Sequence, residues 1–192
     1  MTDAGSAVRF AAEGRVEELS ATAETLLFER GQAVAPELKV RVAQIIEEVR
    51  SEGDTALTRY ARLFDGVLLE RLEIPIEEAR AALELLDPAV RAALELAREA
   101  IADFHRAQLP AALEVEPRPG VRLVRRVEPL RRVGVYAPGG RAAYPSSVLM
   151  GVVPARVAGV EEIVVCSPPA PEGRPPGAVL AACALAGADR IF

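Results

Sequence analysis

The alternation of apolar runs at the end of this chain constrains its fold more than any other feature. From Val133 onward the order is "VGVYA", "SSVLMGVVPARVAG", "EIVVCS", "GAVLAACALAG" and "RIF". The first and third runs have strand length and are rich in β-branched residues, and "RIF" reads as the opening of another strand. The second and fourth have helix length and end at Gly159 and Gly187, the residue type that closes helices. Strand, helix, strand, helix, strand is the order of a parallel sheet with helices packed on its faces. Pro154 falls inside the first of these helices, where it costs a hydrogen bond and predicts a kink. The strand beginning at Arg190 is expected to leave an unpaired edge.

The chain ahead of this alternation has a different period. "PELKVRVAQIIEEVRSEGD" puts Leu38, Val42, Ile45, Ile46 and Val49 on one stripe, between Pro36 at the start and Gly53 at the stop. Asp54 is read as the cap of "TALTRYARLF", in which Leu57, Tyr60, Ala61 and Phe64 recur at helical spacing. "IEEARAALELL" runs to Leu86. Asp87-Pro88 then opens a long helix to about Gln108, with Leu94, Ala97, Ile101 and Phe104 on one face. Residues 1–35 read either as two short helices or as an arm packing on another subunit. "LEVEPRPGVRLVRRV" alternates on both sides of Pro117-Arg118-Pro119-Gly120 and reads as a β-hairpin. The expected fold class is therefore α/β. Residues 1–110 form a helical scaffold, and residues 111–192 hold the hairpin and an incomplete Rossmann-like βαβαβ parallel sheet.

Charge and cysteine content narrow the function classes. A net charge of −5 argues against general nucleic-acid binding, which leaves a basic footprint. The local exception is Arg118, Arg122, Arg125, Arg126, Arg131 and Arg132, broken by Glu128. That run reads as the outer face of a solvated hairpin or as a rim attracting anionic phosphates or a partner subunit. No apolar run approaches the length that spans a bilayer, and the start of the chain lacks the pattern of a secretory signal. Two cysteines, Cys166 and Cys183, are too few for a disulfide framework and are expected reduced, in a cytoplasmic protein.

The chemical candidate is "VGVYAPGGRAAYPSSVLM". Ligands of open parallel sheets bind beyond the carboxyl ends of the strands, where connectivity puts both Pro138-Gly139-Gly140 and Ser167-Pro168-Pro169. Gly139 and Gly140 let backbone approach a ligand with no Cβ between. Ser146 or Ser147 is read as the cap of the next helix, whose first N–H groups suit a phosphate. Tyr136 offers a flat ring for stacking and a hydroxyl for hydrogen bonding. The stretch is neither G-x-G-x-x-G nor a P-loop. Two readings therefore stand from the residues alone, a phosphate-bearing cofactor seat or a tight strand–helix connection.

Elsewhere the chemistry is sparse. His105, the single histidine, ends a long helix, where the dipole favours it, with Gln108 one turn along as a second candidate for a substrate-facing role. Cys166 and Cys183 read as small core residues. Glu47-Glu48 and Glu77-Glu78 read as solvated helix faces. Residues 1–192 hold no clustered metal ligands and no complete catalytic set.

The string "VGVYAPGGRAAYPSSVLMGVVPARVAGVEEIVVCSPP" resembles the signature region of histidinol dehydrogenases, and the resemblance extends back over roughly residues 36–192. It implies an NAD-dependent oxidoreductase that converts L-histidinol to L-histidine in two oxidation steps, a zinc-dependent homodimer of histidine biosynthesis. It assigns cofactor contact to Tyr136 and to the adjacent Pro138, Gly139 and Gly140. The family's zinc ligands and its acid–base Glu-His pair correspond to positions beyond Phe192, so the resemblance gives residues 1–192 no catalytic or metal-binding residue, and this stretch alone is expected to be inactive. The alternative is a stand-alone nucleotide-binding remnant or assembly module without redox chemistry. Gly151 departs from the family, which has asparagine or another larger residue there.

Overall fold

The computed structural model describes Arg15 and residues 20–22, 35–139 and 142–192. The expectation for residues 1–35 falls almost wholly outside these, as does Gly140. The chain divides into two compact units between Glu52 and Gly53. In the first, helix α1 (Pro36–Glu52) carries the apolar stripe read from the sequence, but none of its residues is buried. Leu38, Val42 and Ile46 remain about half exposed.

The second unit runs from Gly53 to Phe192. Helix α2 (Asp54–Tyr60) continues into a wider π-helical turn over Ala61–Asp65, which Gly66 ends in the left-handed conformation at φ 72°. Its N-cap is Gly53, at φ 61°, and no side chain caps it. Asp54 is the first helical residue instead of the cap. Helix α3 is Ile76–Glu84 and helix α4 is Pro88–Ala107. Asp87 caps α4 as its sequence context predicts, accepting from the N–H groups of Ala89 at 2.8 Å and Val90 at 3.3 Å. Leu94, Ala97 and Ile101 turn toward the core, whereas Phe104 is 64% exposed, so the inward face stops one turn earlier than the spacing suggests.

The hairpin forms from β1 (Leu113–Arg118) and β2 (Val121–Arg125), antiparallel, with an irregularity between Val115 and Arg118. Gly120 supplies the turn at φ 80°, and its N–H donates to Glu116 at 2.8 Å. Every residue of both strands is exposed. The arginine run stays at the surface, much of it tied to near neighbours: Arg122 to Glu114, Arg126 to Glu128, and Arg125 to the Ala111 carbonyl at 2.9 Å. Both readings of the run, a solvated face and a rim for anionic phosphates or a partner subunit, put it at the surface.

The parallel sheet follows in the expected order. β3 (Arg132–Tyr136), α5 (Pro145–Val157), β4 (Glu162–Cys166), α6 (Gly177–Ala186) and β5 (Arg190–Ile191) succeed one another, and the sheet order is β3-β4-β5. Pro154 does lie inside α5. Because each strand is laid beside the last in one direction, crossovers of one hand put both helices on the same face. The alternation of burial agrees. Val133, Val135, Ile163, Val165 and Ile191 point to the helices, and Gly134, Tyr136, Cys166 and Arg190 are exposed on the other face. Both helices therefore cover one face, where two covered faces were expected.

Helix α6 is buried nearly all round, with α3 and α5 packed against it. Its run of alanines keeps it slim enough for that position. A second correction concerns the edge at Arg190. Ile74 bridges Ile191 across that edge, its N–H donating to the Ile191 carbonyl at 2.8 Å, and Glu73 receives Arg190 through two bonds of 2.8 Å. Glu73 and Ile74 precede α3 in the chain, a long-range pairing that local pattern does not show.

Candidate functional site

The site is built where β3 and β4 end. Tyr136 and Cys166 are register partners at the carboxyl edge. Past them the pairing continues: Ala137 N–H donates to the Cys166 carbonyl at 2.9 Å, and Ser167 N–H to the Phe192 carbonyl at 3.0 Å. The loops that leave these strands consequently start side by side. A Cβ placed on Gly139 would stand 3.3 Å from Pro168 Cδ and 3.5 Å from Ser167 Oγ. Pro138-Gly139 thus lies in contact with Ser167-Pro168, and a side chain at 139 would press on the Pro168 ring. The sequence reading put both loops on one edge, and the structure brings them into contact.

Tyr136 is 68% exposed, on the face away from the helices, with its ring open to a ligand. Helix α5 begins differently from the expectation. Tyr144 is its N-cap, Pro145 is its first residue, and Ser146 and Ser147 lie in the first turn, with no side chain acting as a cap. Pro145 fixes the helical φ one position earlier than a serine cap requires. The uncapped helix start still suits an anion.

Beside the same edge a cleft of about 430 Å³ opens toward α2, lined by Tyr60, Phe64, Ile74, Cys166, Ser167 and Phe192 among others. The Tyr60 and Phe64 rings stack 5.2 Å apart, so part of its wall is flat and aromatic. Cys166 is exposed here instead of buried as the sequence suggests, because it is the strand's last residue and turns away from the helices. Partial desolvation still raises its thiol pKa. Cys183 is fully buried, as expected of a core residue, and burial pushes its thiol up to about 12. His105 sits in the last turn of α4, edge-on to Phe104, and Gln108 is the C-cap of that helix. Neither lines the cleft.

Sequence reasoning missed three features. Arg156, in the last turn of α5, donates to the Gly187 carbonyl at 2.6 and 2.9 Å and to the Val160 and Glu161 carbonyls at 3.1 Å, and it pairs with Asp189. Asp189 also accepts from Ile163 N–H at 2.7 Å, so this pair ties the amino end of β4 to the end of α6. Gly151 is the second. A Cβ there would lie 2.5 Å from Val135 Cγ1, so its absence lets α5 sit directly on β3 one residue before Tyr136. The third is Ser167. It is 8% exposed, and its Oγ is the one buried side-chain polar atom without a hydrogen-bond partner among the described residues. Leaving such a group unpaired costs about 1–3 kcal/mol. The "CSPP" context signals a loop but not an unpaired hydroxyl.

A parallel sheet with glycine-bearing loops and an exposed tyrosine at its carboxyl edge defines the class: an α/β protein with the ligand-seat geometry of open sheets. The comparisons narrow this. Residues 28–192 match the family model described as histidinol dehydrogenase, a few residues further toward the N-terminus than the motif resemblance reaches. The chain is 46% identical over 166 residues to the histidinol dehydrogenase of Methanothermobacter thermautotrophicus, covering 86% of this chain and 39% of that protein. With the enzyme of Natronomonas pharaonis the identity is 49% over 177 residues, covering 92% and 41%. The crystal structure of histidinol dehydrogenase from Elizabethkingia anophelis superposes with a TM-score of 0.78 at 32% identity, over 83% of this chain and 37% of that one. This chain belongs to the histidinol dehydrogenase family. It spans about two fifths of the length of the curated relatives it matches.

Proposed function

We propose that this chain contributes the first part of the cofactor site of an NAD-dependent oxidoreductase that oxidises L-histidinol to L-histidine in two steps, in histidine biosynthesis. The observation that carries the reading is the contact between Pro138-Gly139 and Ser167-Pro168 at the carboxyl edge, with Tyr136 exposed beside it. The names of the relatives support the substrate, and two free thiols suit a reducing, cytoplasmic setting for a homodimer. In this reading residues 111–192 carry the cofactor role, and the helices of residues 1–110 are scaffold.

The residues present fit a dinucleotide. Tyr136, exposed at the carboxyl edge, would offer its ring for stacking on a flat ring of the cofactor. Gly139, with Gly140 beside it in sequence, lets the backbone come within hydrogen-bonding distance of the phosphates. The Pro145 end of α5 would offer the positive end of its dipole to negative charge. NAD, when bound, supplies the hydride acceptor. Among the described residues no three His, Cys, Asp or Glu come together to hold a metal ion.

Titration calorimetry with NAD tests the reading. Replacing Tyr136 by alanine should weaken binding about tenfold, the scale of losing one ring stack. Equal affinity for the two proteins would remove Tyr136 from the site.

A further inference from the structure

Ser167 is at odds with its surroundings. Its hydroxyl is buried and unpartnered, yet it stands against the turn that the cofactor reading places under the ligand. Across that contact the Gly139 backbone lies close by, its Cβ position 3.5 Å from Ser167 Oγ. An unpartnered hydroxyl thus lies beside the backbone of an abutting loop. Native structures pair nearly all buried polar groups. The unpaired hydroxyl is therefore a group that a small shift of the adjoining turn can satisfy.

We propose that Ser167 is a positioning residue for the dinucleotide: its Oγ accepts a hydrogen bond from Gly139 N–H when the Pro138-Gly139 turn carries the cofactor. This rests on the reading of that turn as part of the NAD site. The bond would hold the turn at a fixed height above the end of β4, to which Ser167 is already tied through its own N–H and the Phe192 carbonyl. Ligand contact made by the turn would thereby be backed by the sheet. The hydroxyl reaches the cofactor through the turn and takes part in no chemical step.

The proposal predicts opposite signs for the free and the bound protein. In the free protein Ser167→Ala removes an unpaired buried hydroxyl, so the melting temperature is unchanged or higher. In the bound protein the same change removes a hydrogen bond, so NAD binds roughly five- to tenfold more weakly. Ser167→Thr keeps the hydroxyl and should restore most of the affinity. The experiment is NAD titration calorimetry and ligand-free thermal unfolding on the purified wild type, Ser167→Ala, Ser167→Thr and Tyr136→Ala. Wild-type affinity in Ser167→Ala, with Tyr136→Ala weakened, would overturn the role of Ser167 and leave the cofactor reading intact. A fall in ligand-free melting temperature with NAD affinity unchanged would overturn it too, since the hydroxyl would then be serving the fold. If the wild type binds NAD and Tyr136→Ala binds equally well, the fault lies with Tyr136, and weakened Ser167→Ala still supports the latch. If the wild type does not bind NAD, both readings fall.

Discussion

Gly151 offers the sharpest test of how the helix positions the site. Gly151→Ala would set a methyl 2.5 Å from Val135 Cγ1, 3.2 Å from Cγ2 and 3.5 Å from Cβ. Favourable carbon–carbon separations are about 3.5–4.0 Å, so the first contact overlaps by about an ångström. Val135 is β-branched and half-buried in the strand, so it cannot fold away as a long flexible side chain would. Either it leaves its rotamer or α5 lifts from β3. Both are overpacking responses, costing about 1–3 kcal/mol. Val135→Ala, which deletes two methyl groups from a half-buried site, should cost about 1.5 kcal/mol. The double variant clears the overlap, so it should be no less stable than Val135→Ala by more than about 0.5 kcal/mol, leaving a coupling of about 1–2 kcal/mol. Urea unfolding of the four proteins measures the cycle. Strict additivity would show that the helix does not rest on Val135 and would refute the argument. Because Tyr136 follows Val135, a lifted helix should also weaken NAD binding in the single variant, with recovery in the double.

Further outcomes follow from the charges and thiols. Cys183, buried and with its thiol pushed up to about 12, should resist alkylation of the native protein at pH 8, while exposed Cys166 reacts more slowly than a free cysteine because its pKa too is raised. Mass spectrometry after timed iodoacetamide treatment checks this, and equal labelling would contradict the burial. Hydrogen bonding from Arg190 holds the Glu73 carboxyl below its ordinary value of 4.5. A depressed carboxylate contributes stability that is present above its unfolded pKa and lost as pH falls through the folded one. Glu73→Gln should therefore be slightly less stable at pH 7, and the gap should close in acid and shrink with added salt, because the pair is exposed. A gap that persists below pH 3 would mean that the pair is not its source. The polypeptide of residues 1–192 by itself should form no NADH from histidinol, and detectable formation would end that expectation.

The legible parts of this protein are those written in local pattern. The βαβαβ order, the glycines that close α5 and α6, and the Asp87 cap all depend on neighbours within a few residues, and all appear as read. Connectivity alone also put the Pro138 and Ser167 loops on one edge. What stayed hidden depends on residues far apart in sequence. Ile74 and Glu73 seal the strand edge at Arg190 from more than a hundred residues away. Arg156 finds Asp189 and the end of α6. Cys166 illustrates the remaining difficulty. An apolar context predicts burial, but strand side chains alternate between faces, and a sheet with helices on one side exposes every second residue. The same alternation that leaves Cys166 exposed presents Tyr136 to a ligand. Exposure of the tyrosine is therefore a consequence of where the helices pack. A variant that buried that face would lose the ring as a contact even with the Pro138-Gly139 turn intact.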